Sequence, residues 1–258
     1  MVYEEIKDMV AAFVSTYQEN NSTMTGWRTP ITGIADAGDP LFRKLKETIG
    51  PNHALPSDIL PGARSVIAYF IPFSAEVINS NIPDEESSRE WDYANIETNQ
   101  LLLDLNQFLC TKMEAAGYHA SLLPPTYHYD EEKLISDWSH KSAAYIAGIG
   151  TFGIHHVLIT KNGCCGRLGS VVTDLSLTPT KRPDREYCLY KRNGSCGRCV
   201  ERCVNLAFER EGKDISYERK KCNEQIYGKI VPQYAIGAGD ACGKCMCGVP
   251  CSVKAPGI

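Results

Sequence analysis

The sequence lacks any apolar run approaching the roughly eighteen residues that a membrane-crossing helix needs. It lacks an excess of positive charge: 27 Lys and Arg against 31 Asp and Glu give a formal net charge of −4, which argues against a broad electrostatic grip on nucleic acid. It has no internal repeat and no low-complexity tract, so neither a solenoid nor a disordered linker protein is indicated. The first residues, MVYEEIKDMV, are acidic and amphipathic, unlike a secretory leader. A cytoplasmic protein is the expectation. At 258 residues the chain is long enough for one large or two modest domains with a buried core.

Cysteine is what the sequence has in excess. There are 12, of which Cys110 stands alone, Cys164 and Cys165 are adjacent, and nine lie between Cys188 and Cys251. In a reducing compartment such a block points to metal binding ahead of disulfides.

Before that block the chain alternates helical and extended signals. Ile6, Met9, Val10, Phe13, Val14 and Tyr17 fall at helical spacing. Pro and Gly punctuate residues 20–64, leaving room for a short helix at Leu41–Thr48. Ser65–Phe73 is a continuous apolar, β-branched and aromatic run, the signature of a buried central strand. The polar, acidic Asn79–Asp92 predicts a surface loop or lid. Tyr93–Ala116 predicts a long amphipathic helix ended by Gly117. Ser136 or Asp137 would cap a further helix running to Ala147, and Val157–Thr160 and Gly169–Asp174 read as strands joined by a Gly-Cys-Cys-Gly turn. Thr178–Glu186 reads as a linker. The expected organisation is thus an α/β (α+β) domain over 1–178 and a small cysteine-rich domain over 179–258.

Cys196, Cys199 and Cys203 form C-x2-C-x3-C, the last three positions of the bacterial ferredoxin run, whose final cysteine serves the other cluster. The position of the first ligand falls on Asn193, so Cys188 is the nearest candidate, and Val204 stands where proline is usual. A C-x2-C hook supplies two thiolates from one turn, and each cluster then takes a remote cysteine. On this logic Cys188, Cys196, Cys199 and Cys251 hold one 4Fe–4S cluster. Cys203, Cys222, Cys242 and Cys245 hold a second. Cys247 is spare, or replaces Cys251 or Cys222. Two four-cysteine zinc sites are the main rival. The block is poor in large apolar residues, so ligation must supply much of its folding energy.

These residues resemble the two-cluster ferredoxin module of epoxyqueuosine reductases, shared with reductive dehalogenases. Leu60–Phe73 (LPGARSVIAYFIPF), Ala143–Thr160 (AAYIAGIGTFGIHHVLIT) and Gly166–Asp174 (GRLGSVVTD) are similar to successive segments of that family, over about Pro56 to Ser252. The resemblance implies a nitroreductase-like corrinoid-binding sandwich followed by the ferredoxin-like module. It implies a base-off cobalamin between them, reduced one electron at a time by the clusters and acting on an electrophilic substrate. By position, Gly148, Gly150, Thr151, Phe152, Gly153, Gly169, Ser170 and Val171 would approach the corrin. Independently, glycines at 148, 150 and 153 let backbone approach a flat ligand closely, or merely form a turn. Where that family carries an Asp-Arg pair, this chain has His140 and Lys141. His140 is a candidate general acid on its ordinary pKa near 6.5, or a histidine satisfied at a helix start. Asp137 is a second acid or a helix cap, and Tyr127, His128 and Tyr129 line a pocket or an ordinary loop. Cys164 and Cys165 are reactive thiols or an inert turn. The chain stops soon after the cluster motif, where that family continues into helical repeats that help hold tRNA. Together with the negative charge, this argues against a tRNA substrate. The expected partners are a small-molecule substrate and a redox donor protein of ferredoxin or flavodoxin type. The competing reading is an electron carrier or corrinoid-handling protein that turns over no substrate itself.

Overall fold

The structure, a computed structural model, describes residues 1–233, 237 and 239–257. Its centre is a four-stranded antiparallel sheet built on the apolar run. Strand β2 (Ser65–Pro72) is buried along its whole length. It pairs on one side with β1 (Ile31–Asp36) and on the other with β6 (Gly166–Thr173), which in turn carries the two-residue β3 (Ala120–Ser121), giving the order β1-β2-β6-β3.

Side chains alternate across a strand, so a run that is apolar at every position after Ser65 needs cover on both faces. It has it. Ile67, Tyr69 and Ile71 pack against α1 (Tyr3–Asn21) and α3 (Arg89–Ala115) through Ile6, Val10, Leu101, Leu105 and Leu109. Val66, Ala68 and Phe70 pack on the opposite face, against α2 (Pro40–Thr48) and α4 (His140–Ile146) through Phe42, Ala143 and Ala144. The result is a mixed α+β arrangement of helices on both faces of an antiparallel sheet. A two-stranded ribbon follows α4, β4 (Gly150–Phe152) with β5 (Leu158–Thr160).

Several boundaries move. The long helix starts four residues earlier than its apolar pattern, at Arg89, because the Ser88 side chain accepts the Trp91 N–H (3.1 Å) and caps it. Gly117 follows its end at φ +83°, as a glycine there should. The cap of α4 is Ser139, whose side chain accepts the Ser142 N–H, instead of Ser136 or Asp137. The acidic stretch carries the expected surface loop, exposed over 83–86, and is anchored at its base. Asn81 is fully buried, donates to the Cys242 carbonyl (3.0 Å), and accepts from the Ser88 N–H (2.9 Å).

The cysteine-rich tail carries α5 (Leu189–Asn193), α6 (Arg198–Glu201), a hairpin of β7 (Phe208–Glu211) and β8 (Asp214–Tyr217), and α7 (Arg219–Asn223), which continues as a π-helical stretch Glu224–Ile230. The Thr178–Glu186 segment leading into it is pinned, Thr180 exchanging two hydrogen bonds with Ile34 on β1 (2.9 Å each). The tail shares a core with the sheet domain: Phe73, Ile78, Trp91, Cys164 and Cys165 pack with Cys188, Cys247 and Ala255. Arg28 fastens the two by donating to the carbonyls of Phe73 (2.7 Å), Asn162 (2.9 Å) and Val253 (2.9 Å). No helix of the described residues is long and apolar enough to cross a membrane.

Candidate metal centres and the adjoining cleft

Eight of the nine tail cysteines gather in two groups. Cys188, at the start of α5, Cys196, Cys199 in α6, and Cys251 line one small cavity, together with Gly153, His155 and Pro250. Burial and the other three thiols of this group push the Cys199 thiol up to about 12. The second group is Cys203, Cys222, Cys242 and Cys245. Burial, then the neighbouring Cys222 and Cys203, push Cys242 up to about 11, and Cys245 is raised by burial and by its electrostatic coupling to Cys242, Cys222, Cys199 and Cys203. Cys199 thus links the groups, which adjoin.

Thiols so placed repel each other as thiolates unless a cation density sits among them. Nearby donors offset part of that penalty on the thiolate form. Ala207 N–H donates to Cys203 Sγ (3.2 Å), the Val200 and Lys244 N–H groups donate to Cys199 and Cys242, and the Tyr217 hydroxyl bonds Cys222. Lys244, inside the Cys242–Cys245 hook, is 1% exposed and donates to the carbonyls of Asn81 (3.1 Å) and Pro83 (2.7 Å). A buried ammonium needs a negative partner, and Cys242 and Cys247 are the groups that favour its charge most. The Trp91 indole N–H is buried without a partner and lies against Gly243 of the same hook, where a Cβ would come within 2.6 Å of Nε1. An unused indole donor and a buried ammonium at the Cys242–Cys245 hook fit an anionic, sulfur-rich group.

Cys247 belongs to neither group. It is fully buried, 3.9 Å from Cys165 Sγ and 3.6 Å from the Asn81 amide nitrogen. Cys164 and Cys165 are buried, with thiols raised well above the ordinary value. Of the two sequence readings for that pair, the inert turn agrees with the structure.

The second group borders a cleft of about 610 Å³ between the sheet domain and the tail, within the 300–1,000 Å³ range usual for small-molecule sites. Leu134, Ile135, Val157, Leu168, Ile226 and Met246 give it apolar walls. Tyr129, His140, Lys141, Arg167, Tyr217, Arg219 and Cys222 supply polar atoms. Arg167 is fixed by two side chains of α3, donating to Asn95 Oδ1 (2.5 Å) and Asn99 Oδ1 (2.6 Å). Lys141 donates to the His156 carbonyl (3.2 Å) and remains reached by solvent although the cleft walls crowd it. That crowding lowers its ammonium, assisted by the charge of Arg219.

His140 forms part of the lining but lacks the chemistry of an acid. Nε2 faces the Pro124 carbonyl (2.9 Å), which can only accept, so the proton sits there. Nδ1 then accepts from Ser170 Oγ (2.8 Å), which itself accepts from Trp138 Nε1 (3.0 Å). Burial lowers the imidazole to about 4. It is a satisfied, neutral core histidine. Asp137 and Tyr127 lie outside the cleft: the Asp137 carboxylate faces His128 (3.7 Å), and Tyr127 stacks on His128.

The residues aligned with the corrin also lie outside the lining. A Cβ at Gly148 would come within 2.7 Å of the Lys181 carbonyl, at Gly150 within 2.8 Å of the Ile159 backbone, at Gly153 within 2.7 Å of His155, and at Gly169 within 2.6 Å of the Tyr69 hydroxyl. These glycines make room for the chain itself. Thr151 accepts the Tyr187 N–H (2.8 Å), Phe152 packs on Tyr145, and Val171 is in the core. Tyr129, one of the loop aromatics read as pocket-lining, does line the cleft; Arg167, Arg219 and Tyr227 line it too, the last two from one continuous helical stretch, and no local pattern announces these three.

Since the His140 imidazole has a folded pKa near 4 against an unfolded value of about 6.5, the unfolded chain binds its proton first on acidification. This contribution to stability is complete above pH 6.5 and is lost as pH falls through 4, by on the order of 3 kcal/mol. The expected signature is a His140 ring resonance that stays flat from pH 8 to 5 in NMR titration. Movement near 6.5 would contradict the buried, neutral assignment.

No family model and no curated protein sequence matches the chain. Among solved structures, the catabolic reductive dehalogenase NpRdhA in complex with 3-bromo-4-hydroxybenzoic acid matches with a TM-score of 0.60 and 16% identity, over 87% of this chain and 30% of its own. A reductive dehalogenase described for B12-dependent dehalogenation matches at 0.53 and 17%, over 83% and 29%. Epoxyqueuosine reductase from Bacillus subtilis gives 0.48 and 20%, over 79% and 53%. The chain therefore has the fold of part of the reductive dehalogenases. It spans about half the length of the epoxyqueuosine reductase and about 30% of that of the dehalogenases.

Proposed function

We propose that the protein is an oxidoreductase that carries two 4Fe–4S clusters on its eight grouped cysteines and a corrinoid in the adjoining cleft, and that it reduces a small electrophilic substrate there. The observation that carries this reading is the gathering of four thiols at each of two adjoining places, one of which forms the cleft wall through Cys222. A dehalogenase of the same fold is described for B12-dependent dehalogenation. Two clusters supply single-electron transfer from the surface to the cleft, and a corrinoid supplies a cobalt centre able to reduce an electrophile.

The chain's own residues have narrower tasks. Arg167, held rigid by two asparagines, fixes an anionic or carbonyl group of whatever occupies the cleft. Lys141 offers the cleft its two protons not committed to His156 and is the proton donor in place of His140. Tyr217 and Tyr227 close the side nearest the second cysteine group.

Electrons enter at the first group. Its rim is basic: Arg185, Lys191, Arg192 and Lys254 are exposed, and Glu186 is the only acid in 185–192. Arg192 and Arg185 hold the carbonyls of Pro256 (3.4 Å) and Gly257 (2.8 Å) beside the cavity. On a chain of net charge −4, such a rim suits an acidic electron carrier of ferredoxin or flavodoxin type. Reduction by such a carrier is expected to slow as salt rises and to slow about tenfold in Lys191→Glu/Arg192→Glu, with reduction by dithionite unchanged. Stopped-flow traces without either effect would reject the docking face.

The deciding test of the function is anaerobic purification with iron, sulfide and cobalt quantitation, with and without added cobalamin. Brown protein that retains cobalt is expected. Iron without cobalt under every condition would favour the electron-carrier reading, and a colourless zinc protein would reject both.

A further inference from the structure

His155 is 4% exposed and takes no part in the cleft. It sits in a tight turn closed by Gly153 N–H to the Val157 carbonyl (2.9 Å) and His156 N–H to the Gly153 carbonyl (3.1 Å). Within the turn, the Val157 N–H donates to His155 Nδ1 (3.2 Å). A nitrogen that accepts a hydrogen bond carries no proton, so the proton of the neutral ring is on Nε2. Nε2 lies 3.7 Å from Cys251 Sγ, a sulfur acceptor at N–H···S distance. Gly153 makes the arrangement possible, since a side chain there would collide with the ring. The ring is therefore clamped, with one fixed direction for its single N–H.

His155, Cys164 and Cys251 also lie close enough to ligate one ion. The tautomer argues against it: ligation through Nε2 needs the lone pair that the proton occupies, and freeing it would break the Val157 bond.

We infer that His155 is a positioning residue of the first metal centre: its Nε2–H donates to Cys251 Sγ and so raises the reduction potential of the cluster held by Cys188, Cys196, Cys199 and Cys251. The inference rests on the cluster assignment above. A hydrogen bond to a ligand sulfur draws negative charge off it, which favours the more negative reduced cluster, and such bonds are among the determinants of cluster potential. The consequence is a first centre tuned to accept electrons at the surface. Its donor belongs to the sheet domain, so the potential depends on the two parts being docked.

The test is an EPR-monitored redox titration of the anaerobic full-length protein and of His155→Leu and His155→Gln. His155→Leu is expected to lower one midpoint potential and leave the other in place. His155→Gln, which keeps an N–H donor, is expected to restore most of the difference. His155→Leu with full iron and sulfide and wild-type midpoints would overturn the inference. If His155→Leu loses iron, the wild-type protein labelled with 15N-histidine decides: a 15N hyperfine coupling to the reduced cluster in HYSCORE spectra is expected, and its absence overturns the inference. Failure of the cluster assignment itself would show earlier, as wild-type protein without iron.

Discussion

Substituting Cys222 by serine is expected to halve the iron and acid-labile sulfide of anaerobically purified protein, whereas Cys247→Ala should leave both at the wild-type level. Cys222 sits in α7, electrostatically coupled to Cys203, with Tyr217 on its sulfur and the cleft beside it. A serine hydroxyl there is a hard, high-pKa group in a site otherwise built of soft sulfur. Cys247 looks the same in the sequence, yet it is fully buried with its sulfur against Cys165 and the Asn81 amide instead of lining the cavity of the first group. Its loss is a small change in packing. Cys188→Ser should remove the other half. Iron analysis on the three variants separates two four-cysteine centres from any scheme in which Cys247 ligates; equal losses in Cys222→Ser and Cys247→Ala would defeat the assignment.

A second large effect is expected at Gly243. Its φ is +68°, and a Cβ would press into the Trp91 indole. Left-handed backbone costs a non-glycine residue about 1–3 kcal/mol, and forcing a methyl into packed space costs about 1–3 kcal/mol more. Gly243→Ala is thus expected to destabilise the protein by about 2–6 kcal/mol, a fall in Tm of roughly 4–24 °C, and to shed iron from the second centre. Gly62→Ala is the control. It has φ +83° with nothing within 4 Å of the added carbon, so it should show the backbone cost alone. Scanning calorimetry and iron analysis on both variants check this. Equal, small effects would mean that Trp91 yields easily and does not brace the hook.

The cysteines were legible in the sequence because a C-x2-C spacing restricts what two sulfurs can reach, whatever surrounds them. The central strand was legible because the unbroken apolar run Val66–Phe73 has few alternatives. His140 was ambiguous because its two partners, Pro124 and Ser170, arrive from 16 and 30 residues away; a titratable side chain carries no mark of how deeply it will be buried. The glycines of GIGTFG misled for a related reason. Glycine reports that something comes close, and here that something is Ile159, Lys181 and His155 of the same chain. The stretch expected as a surface loop or lid shows the converse: an acidic, polar segment is anchored because Asn81 donates to the Cys242 carbonyl and Lys244 donates to the Asn81 carbonyl. The cleft was legible only in part: Tyr129, His140 and Lys141 stood out in the sequence, but Arg167, Arg219 and Tyr227 are brought beside them only by the fold.

Arg28 has a consequence for biosynthesis. One of its three acceptors, Val253, follows it by 225 residues, and Cys251 enters the first group from the same stretch, its carbonyl bound by the Cys164 N–H (2.9 Å). While that stretch is still inside the ribosome, neither the guanidinium nor the fourth sulfur has its partner. On the proposed cluster assignment, a nascent chain stalled before residue 251 would offer the assembly machinery a site it cannot complete.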